Sequence, residues 1–333
     1  MKILLINSDE GPDYLSDLIN YFFLDGNYDV YTNYIPNFLF NDSDEKDKLY
    51  GKGFTLYGKL PSQIKEDITI LNESNLKLTI NEFDKIIFTS IQRTFNNSHI
   101  KDSFFKNIYE NVRVKELIVV DGEDHSDVDV SIAKKSEYFK RELTNINSKY
   151  AKPISFSFPK SELPEEVKSI QQKTQILAPM DPRFNSSYVF DETSYFEQYS
   201  KSLFATTTKK AGWDCMRHYE ILSRNTLLYF PGIQEKPELT MNYFPVDLQE
   251  EVNNRFLKLM ISSENIDSLE KIRVKYNSKN YRKRGIKRIK TKLSKLNLVQ
   301  NNISKLDELN LEMQNWFVSY GTTSIYKKIF DLN

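Results

Sequence analysis

The chain has little cysteine and little histidine, two residue types on which many compact functional sites depend. Cys215 is its single cysteine, and histidine occurs three times, at positions 99, 125 and 218. One cysteine excludes a disulfide scaffold and a cysteine-based zinc site, and it is compatible with a reducing compartment. Three histidines leave little material for a histidine-rich metal site. We therefore predict no metal site.

Long apolar runs are also missing. The N-terminal segment carries only about five apolar residues before it becomes polar at Asn7, Asp9 and Glu10, which is too short and too polar for a signal peptide. No uninterrupted apolar run approaches the ~18 residues of a membrane span. The sequence thus predicts a soluble, cytoplasmic protein.

Net charge is absent as well, since 46 Lys and Arg residues balance 46 Asp and Glu residues. Such a chain is not a polycation built for nucleic acid or anionic lipid. Hydrophobic residues make up 39% and aromatic residues 13% of the 333 residues, which is enough apolar area for real cores and excludes a wholly disordered chain. At ~100–200 residues per domain, this length predicts two domains.

What the sequence does contain is an alternation of short apolar runs with amphipathic stretches. In the first half we expect strands at Lys2–Asn7, Tyr28–Tyr31, Lys85–Thr89 and Glu116–Asp121, and helices at Asp13–Leu24, Pro61–Leu71 and Ile100–Val112. After a proline-rich connection, Pro153–Pro164, we expect strands at Thr174–Ala178, Leu203–Thr206 and Thr226–Phe230, and helices at Thr193–Ser202, Gly212–Arg224 and Asp247–Met260. This alternation predicts two successive α/β domains, each with a mostly parallel sheet covered on both faces.

The most informative segment runs from Ser202 to Leu222. A predicted strand leads into a loop rich in threonine, lysine and glycine, and this loop opens a predicted helix. Free backbone N–H groups and the positive end of the helix dipole at Gly212 would then lie close to Lys209 and Lys210. The start of this helix is therefore predicted to bind a diphosphate.

The helix that follows carries an ordered set of polar side chains. Intervals of four, three and four residues place these side chains on one face: Trp213, Arg217, Glu220 and Arg224. An arginine one turn into the helix can reach back to a phosphate, and a carboxylate one turn further can accept hydrogen bonds from both hydroxyls of a ribose. The alternative is a solvated i, i+3 pair of Arg217 and Glu220, with Trp213 in the core. The position after a strand and a loop favours the binding interpretation, because open α/β sheets bind ligands at that edge.

The segment Arg217-His-Tyr-Glu220-Ile-Leu, followed by a short turn and Thr226-Leu-Leu-Tyr-Phe230, resembles the donor-binding signature in the C-terminal domain of GT-B glycosyltransferases. The exostosin-like and spore-maturation-like branches are the most similar, and the signature is of the family 1 and family 4 type. The close resemblance covers residues 202–246. Ser223-Arg224-Asn225-Thr226 stands where the family commonly has Ala-x-Gly-x, which leaves the exact end of the helix open.

The resemblance implies a fold. The expected fold class is α/β with the GT-B architecture, in which two Rossmann-like domains enclose a cleft. Residues 1–155 would form the acceptor domain and residues 156–305 the nucleotide-sugar donor domain. Residues 306–333 would form a terminal helical segment that packs back toward the first domain, because Asn315–Phe330 resembles the closing helix of GT-B enzymes.

The resemblance also implies a reaction. The expected enzyme transfers a sugar from a UDP- or GDP-type nucleotide-sugar to a hydroxyl of a glycan or lipid-linked acceptor, in surface glycan or polysaccharide synthesis. The motif's glutamate, Glu220, would bind the ribose. Arg217 with Lys209 or Lys210 would neutralise the departing diphosphate, so that neither a metal nor a further cofactor is needed.

A general base would come from the first domain if the enzyme inverts the anomeric configuration. The segment 121–127, with the sequence DGEDHSD, is the cluster of acids and histidine at a predicted strand end of that domain. A base must face the anomeric carbon and take up a proton at the working pH, which His125 or a desolvated Asp121 or Asp124 could do. The alternative is a solvated acidic loop.

A second charged segment of the first domain lies at Tyr138–Glu142. It could direct Lys140 and Arg141 toward the cleft, where they would bind a phosphate or an acidic acceptor. The alternative, which we favour, is a charged strand edge or helix start.

Charge is unevenly distributed although it sums to zero. Residues 1–50 hold ten acids and three bases, whereas Lys271–Lys295 holds twelve bases and no acid. On a helix, this basic stretch would place Ile286, Ile289 and Leu293 on one face and form an amphipathic cationic surface. Such a surface could bind anionic lipid at the inner face of a membrane, or nucleic acid, or it could pair with the acidic first fifty residues.

Two alternative functions follow from these features. A DNA-modifying glycosyltransferase of the same fold would use the basic stretch to hold its substrate. A catalytically inactive nucleotide-sugar-binding protein would explain why no unambiguous catalytic base stands out in the sequence. Neither the sugar, the acceptor nor the oligomeric state follows from the residues.

Overall fold

A computed structural model describes residues 1–9, 11–45, 49, 56–72, 74–75, 80–91, 109–112, 117–166, 168–184, 187–188, 191–262 and 303–332. Within them, two parallel β-sheets and their covering helices form a mixed α/β fold. The strands of the larger sheet are β1 (Lys2–Ile6), β2 (Asp29–Thr32), β3 (Thr69–Ile70), β4 (Lys85–Phe88), β5 (Leu117–Asp121), β6 (Glu137–Lys140) and β7 (Lys152–Pro153). Those of the smaller sheet are β8 (Gln175–Leu177), β9 (Ser202–Thr206) and β10 (Leu227–Tyr229).

The helices lie between and after these strands. Their bounds are α1 (Tyr14–Leu24), α2 (Val130–Ala133), α3 (Glu192–Ser200), α4 (Met216–Leu222), α5 (Val246–Ser262), α6 (Ile303–Trp316) and α7 (Ile325–Ile329). In the described part of the chain, none of the helices combines the length and the apolar character that crossing a membrane requires.

The seven-stranded sheet has the strand order β3-β2-β1-β4-β5-β6-β7, and every neighbouring pair is parallel. The chain moves outward from β1 to β3 and then crosses back to the other side of β1 for β4. This is the strand order of a doubly wound, Rossmann-like sheet, and the reversal between β1 and β4 creates a crevice at the carboxyl ends of those strands. The three-stranded sheet has the order β10-β9-β8 and is also parallel.

Alternating side chains of the central strands explain why the seven-stranded sheet is covered on both faces. Ile3 and Leu5 of β1 join one buried cluster, whereas Leu4 and Ile6 join another on the opposite face. The first cluster continues without a break to apolar side chains of the three-stranded sheet, including Phe204. One apolar core therefore connects the two sheets, and the predicted mostly parallel, doubly covered sheet is confirmed for the first half of the chain.

Three expectations about the first half need comment. The helix expected at Pro61–Leu71 is wrong, because the structure has a 3₁₀ helix at Ser62–Asp67 followed by β3. None of its side chains is fully buried and Ile64 packs only partly against the core, so little apolar area is available to hold an α-helix against the sheet. The strand β6 agrees with the interpretation of Tyr138–Glu142 as a charged strand edge, whereas β7 was not expected. The helix expected at Ile100–Val112 lies outside the described residues except for 109–112.

The terminal segment is not one continuous helix. After α6 the backbone forms a π-helix at Phe317–Gly321, and Thr322 then adopts an extended conformation and pairs with Phe158 in an isolated parallel bridge. Beyond α7, the ring of Phe330 lies 6.0 Å from the ring of Phe23 on α1 and 5.6 Å from that of Phe139 on β6. The end of the described chain thus packs against the seven-stranded sheet.

Candidate functional site

The helix that follows β9 begins four residues later in the chain than the sequence predicted. The sequence predicted a helix from Gly212, but α4 begins at Met216 with Cys215 as its N-cap residue, and the Cys215 side chain makes no capping hydrogen bond. The reason lies at Asp214, whose backbone N–H donates to Glu142 Oε1 at 3.0 Å and whose carbonyl oxygen accepts from Arg141 Nη1 at 2.6 Å. These contacts to the end of β6 hold the segment out of the helix, so Gly212 does not lie at the helix N-terminus.

The end of α4 explains the departure from the family's usual turn. The helix closes at Leu222, and Asn225 has a φ of 54°, in the left-handed region. Apart from glycine, asparagine is among the residues that enter this region most readily. Asn225 therefore supplies the conformation that a glycine at the same position of the family's motif would supply.

Glu220 is a buried carboxylate, with 4% of its surface exposed. Its Oε2 accepts a hydrogen bond of 2.8 Å from the hydroxyl of Tyr195 on α3, and the Tyr199 hydroxyl donates to Tyr195 at 3.2 Å. Burying an ionised carboxylate is costly unless hydrogen bonds compensate. Glu220 is therefore not half of a solvated surface pair, and that interpretation of the Arg217–Glu220 spacing is wrong.

Arg217 is half-buried one turn before Glu220. Its Nε lies 3.4 Å from Thr207 Oγ1 and its Nη2 lies 3.4 Å from the Thr208 carbonyl oxygen, which are long contacts to neutral groups. The Tyr188 hydroxyl is buried nearby and has no hydrogen bond of good geometry among the described residues. Burial raises the pKa of Tyr188 to about 12, although the Arg217 charge acts in the opposite direction. The guanidinium is thus loosely held beside a buried hydroxyl.

The two lysines of the loop are exposed, and one has an aromatic neighbour. Lys209 Nζ lies 5.1 Å above the ring of Trp213, which in turn packs 6.3 Å from the ring of Phe230. Lys210 is also exposed. A cation above an indole ring is held near the surface without losing contact with solvent. Lys209, Lys210, Trp213, Arg217 and Glu220 thus lie on one loop and helix at the carboxyl end of β9.

His218, which the sequence analysis did not single out, is completely buried beneath this helix. Its Nδ1 lies 2.9 Å from Thr207 Oγ1 and its Nε2 lies 2.9 Å from the Trp213 carbonyl oxygen. A carbonyl oxygen can only accept, so Nε2 carries the proton and Nδ1 accepts from the threonine hydroxyl. Burial lowers the pKa of His218 to about 3, with a further lowering by Arg217. His218 is a neutral structural link between the loop and the helix.

The three expected candidates for a general base lie at the carboxyl end of β5. Asp121 is 1% exposed, and its carboxylate accepts from Lys140 Nζ at 2.7 Å and from the Tyr138 hydroxyl at 2.6 Å. Asp124 forms a salt bridge with Arg141. His125 lies at the surface, with its Nδ1 3.7 Å from an Asp127 carboxylate oxygen. The structure thus brings Asp121 and Asp124 together with Lys140 and Arg141, at and directly after the end of β6, and the catalytic role of Asp121, Asp124 and His125 stays a prediction.

A second polar site lies where the strand order of the seven-stranded sheet reverses. A small pocket there is lined by side chains from the ends of β1 and β4 and from the start of α1: Asn7, Ser8, Asp13, Ser16, Asp17, Asn20 and Ser90. The sequence analysis missed this site. The sequence did hold a signal for it, because Asn7 and Asp13 flank the Gly11-Pro12 turn that follows β1. The other wall of the pocket comes from the end of β4, and the placement of β4 beside β1 does not follow from local sequence pattern.

Tyr14 lies near both polar sites. It follows the pocket residue Asp13 in the chain, and burial raises the pKa of its hydroxyl, with further increases from the carboxylates of Glu220 and Asp17. Lys59 Nζ also lies 2.5 Å from Glu192 Oε1 at the start of α3. The crevice of the seven-stranded sheet and the Glu220 side of α4 are therefore neighbours.

Comparisons with known proteins give no family for the chain. No model of a protein family matches it, and neither the curated proteins nor the solved structures include a match. The basic stretch Lys271–Lys295 lies outside the described residues. In the part of the chain that the structure describes, no group of three or more His, Cys, Asp or Glu side chains is arranged to hold a metal ion.

Proposed function

We propose that the protein is a glycosyltransferase that transfers a sugar from a nucleotide-sugar donor to an acceptor hydroxyl. The observation that carries this proposal is the buried Glu220 one turn after a loosely held Arg217, on a helix that follows a parallel strand. A carboxylate in a dry, hydroxyl-lined site suits the two hydroxyls of a ribose, and a guanidinium beside it suits a diphosphate.

The roles of the side chains follow from their positions along α4. Glu220 accepts hydrogen bonds from the ribose, and Arg217 pairs with the diphosphate as it departs. Lys209 and Lys210 add positive charge from the exposed loop, where they can approach the diphosphate without being buried. Stabilising the departing diphosphate is an electrostatic task that such cations perform when they are aimed at the developing charge. The donor is of the UDP or GDP type.

The proposed arrangement is that of a GT-B enzyme, with residues 1–155 and 156–305 as two Rossmann-like domains. In this arrangement the acceptor, a glycan or a lipid-linked sugar, occupies the crevice between β1 and β4. Two features support that location: the switch point of an open sheet is where ligands bind, and Tyr14, which follows the pocket residue Asp13, is close enough to Glu220 to feel its charge. Asp121, Asp124 and His125 remain candidates for the general base.

Ligand binding tests the proposal directly. The full chain is melted in the presence of uridine and guanosine diphosphates and their sugar conjugates, with Glu220→Ala in parallel and Glu238→Ala, in the loop after β10, as the control. A ligand present at 100 times its Kd adds about 2.7 kcal/mol to the stability of the folded state. We expect one nucleotide family to stabilise the wild type and the control but not Glu220→Ala. Equal stabilisation of all three proteins would contradict the proposed site.

A catalytically inactive nucleotide-sugar-binding protein is the second candidate. The observation in its favour is that the carboxylates of Asp121 and Asp124 are paired with Lys140 and Arg141, at and directly after the end of β6. Both carboxylates are thus engaged in contacts within the fold. Release of free sugar from any donor that binds, measured over hours with the wild type, would exclude this candidate.

A further inference from the structure

The end of β6 is joined to the segment that precedes α4 through backbone atoms. Arg141 Nη1 donates to the Asp214 carbonyl oxygen at 2.6 Å, and the Asp214 N–H donates to Glu142 Oε1 at 3.0 Å. Arg141 Nε also donates to the Gly122 carbonyl oxygen at 2.8 Å, at the end of β5. The seven-stranded sheet therefore holds Asp214 by both polar groups of its backbone.

The side chain of Asp214 extends these contacts in two directions. One carboxylate oxygen accepts from the Phe156 N–H at 2.6 Å, and the other accepts from the Tyr219 hydroxyl at 2.9 Å. Tyr219 lies on α4 directly before Glu220, so a continuous set of hydrogen bonds leads from β6 through Asp214 to the helix of the proposed donor site. Asp214 is 2% exposed, and hydrogen bonds to charged groups in such a dry setting are strong and geometrically selective.

Gly212 shows how closely the two parts approach. A Cβ atom at this position would lie 2.5 Å from Glu142 Oε1, 2.8 Å from Asp124 Oδ1 and 2.9 Å from Arg141 Nη1. These distances are shorter than real side-chain contacts, so no other residue fits without moving the charged side chains. Gly212 is therefore a packing residue that lets Arg141 and Glu142, which we call the β6 cluster, reach Asp214.

We infer that Arg141, Glu142 and Asp214 are positioning residues of the donor site. They fix α4, and with it Arg217 and Glu220, in one orientation relative to the seven-stranded sheet. That the positioned site binds a nucleotide-sugar donor rests on the proposed function. That these residues position α4 rests on the hydrogen bonds described above. Arginine suits this task because its planar fork binds several acceptors in a fixed geometry. The cluster is thus occupied by Asp214 and is not available to bind an acidic acceptor.

The test compares Glu142→Ala with Glu142→Gln and with Gly212→Ala in the full chain. Glutamine keeps an oxygen that can accept from both Arg141 and Asp214, whereas alanine removes it. Thr240→Val is the first control, because it removes a buried hydrogen bond of 2.9 Å to the Leu143 carbonyl oxygen, beside the cluster. Gly26→Ala is the second, because its Cβ would crowd the Tyr28 ring at 2.6 Å, just after the C-terminal end of α1.

Two measurements give the readout. The Kd for UDP and for GDP is measured by calorimetry, and hydrogen exchange is followed at the amides of residues 207–222. We expect Glu142→Ala and Gly212→Ala to weaken nucleotide binding about tenfold and to speed exchange in that segment, while strands β1 and β4 keep their protection. Glu142→Gln restores the affinity to within about threefold of the wild type, and both controls behave like the wild type.

The outcomes separate this inference from the proposed function. If Glu142→Ala binds nucleotide like the wild type, or if exchange speeds up uniformly across both sheets, the residues stabilise the fold without positioning the site and the inference is overturned. If the wild type binds neither UDP nor GDP, the proposed function fails, whereas exchange at residues 207–222 still decides whether the cluster positions α4.

Discussion

Two groups of charged side chains lie at the carboxyl ends of parallel strands, and they differ in the partners with which their charges interact. At the ends of β5 and β6, Asp121 is paired with Lys140 and Asp124 with Arg141, so each charge meets its opposite. On α4, Arg217 contacts a threonine hydroxyl and a carbonyl oxygen, and Glu220 accepts from a tyrosine hydroxyl. The first group forms salt bridges, whereas the hydrogen bonds described for Arg217 and Glu220 are with neutral groups and the charge of Arg224 acts on Glu220.

This difference separates two uses of buried charge. A buried ion pair compensates its own desolvation and mainly fixes the structure around it. A charge whose hydrogen bonds are with neutral groups can still pair with a charged or hydroxyl-rich ligand. The comparison therefore indicates a structural role for the β5–β6 group, and it agrees with the binding role that we propose for the α4 group.

We expect the largest effect in the pH dependence of stability, and it comes from His218 beneath α4. The pKa of His218 is lowered from 6.5 to about 3 in the folded protein, so the unfolded chain takes up a proton between these values and the folded protein does not. Stability therefore falls as the pH falls from 6.5 toward 3, by about 4–5 kcal/mol at the lower limit. Urea unfolding of the wild type and of His218→Gln at several pH values measures the difference. Parallel pH profiles would contradict a neutral, buried His218.

The second effect tests the supporting role of the ion pair at β5. Asp121→Ala leaves the Lys140 ammonium buried without its carboxylate, and we expect a loss of about 3–5 kcal/mol in the free energy of unfolding. Nucleotide binding, measured below the new melting temperature, should be unchanged. A well-folded Asp121→Ala protein that binds its donor normally but no longer transfers sugar would instead make Asp121 the catalytic base.

The third effect has the opposite sign to that of His218. Burial raises the pKa of Asp214 from 3.8 to about 6, although Arg141 lowers it. Between pH 3.8 and about 6 the folded protein therefore holds a proton on Asp214 that the unfolded chain releases. The contribution of this proton to the free energy of unfolding is full below pH 3.8 and is lost as the pH rises through 6. We expect it to amount to about 3 kcal/mol. Relative to Asp214→Asn, the wild type should gain stability on acidification. A constant difference between the two proteins from pH 4 to pH 7 would refute this.

We expect the smallest effect on stability from Arg217→Lys, together with weaker binding of nucleoside diphosphates. Arg217→Lys keeps the positive charge but loses the planar fork, and the contacts of Arg217 within the protein are long. We expect unfolding to change by less than about 1 kcal/mol, while the affinity for UDP or GDP falls about tenfold and that for the free nucleoside does not change. Arg255→Lys on α5 is the control. An equal loss for nucleoside and diphosphate would place Arg217 away from the phosphates.

The sequence predicted the parts of the fold that depend on local pattern. Apolar runs located β1, β4, β5, β9 and β10 to within about two residues at each end. At Tyr138–Glu142 a strand edge and a helix start both stayed open, because the sequence of β6, Glu-Tyr-Phe-Lys, is charged at both ends. In the structure Asp121 accepts hydrogen bonds from Lys140 and Tyr138 and so compensates for the burial of their polar groups. That compensation depends on a neighbouring strand, so periodicity cannot reveal it.

The candidate site was predictable to a similar extent. Helical spacing placed Arg217 and Glu220 on one turn of one helix, because spacing is a local property. The role of Gly212 was not predictable, since it depends on Arg141 and Glu142, which lie some seventy residues earlier in the chain. The crevice between β1 and β4 was missed for the same reason, because strand order is decided by the whole sheet.

The packing of Tyr326 and Phe330 against Phe22, Phe23 and Phe139 has a consequence for the order in which the protein can fold during its synthesis. These residues cover α1 and β6, which leave the ribosome long before them. The contacts of residues 322–330 with α1 and β6 can therefore form only after these later residues have been translated. The packing around α1 and β6 is thus completed by residues made well after the largest sheet.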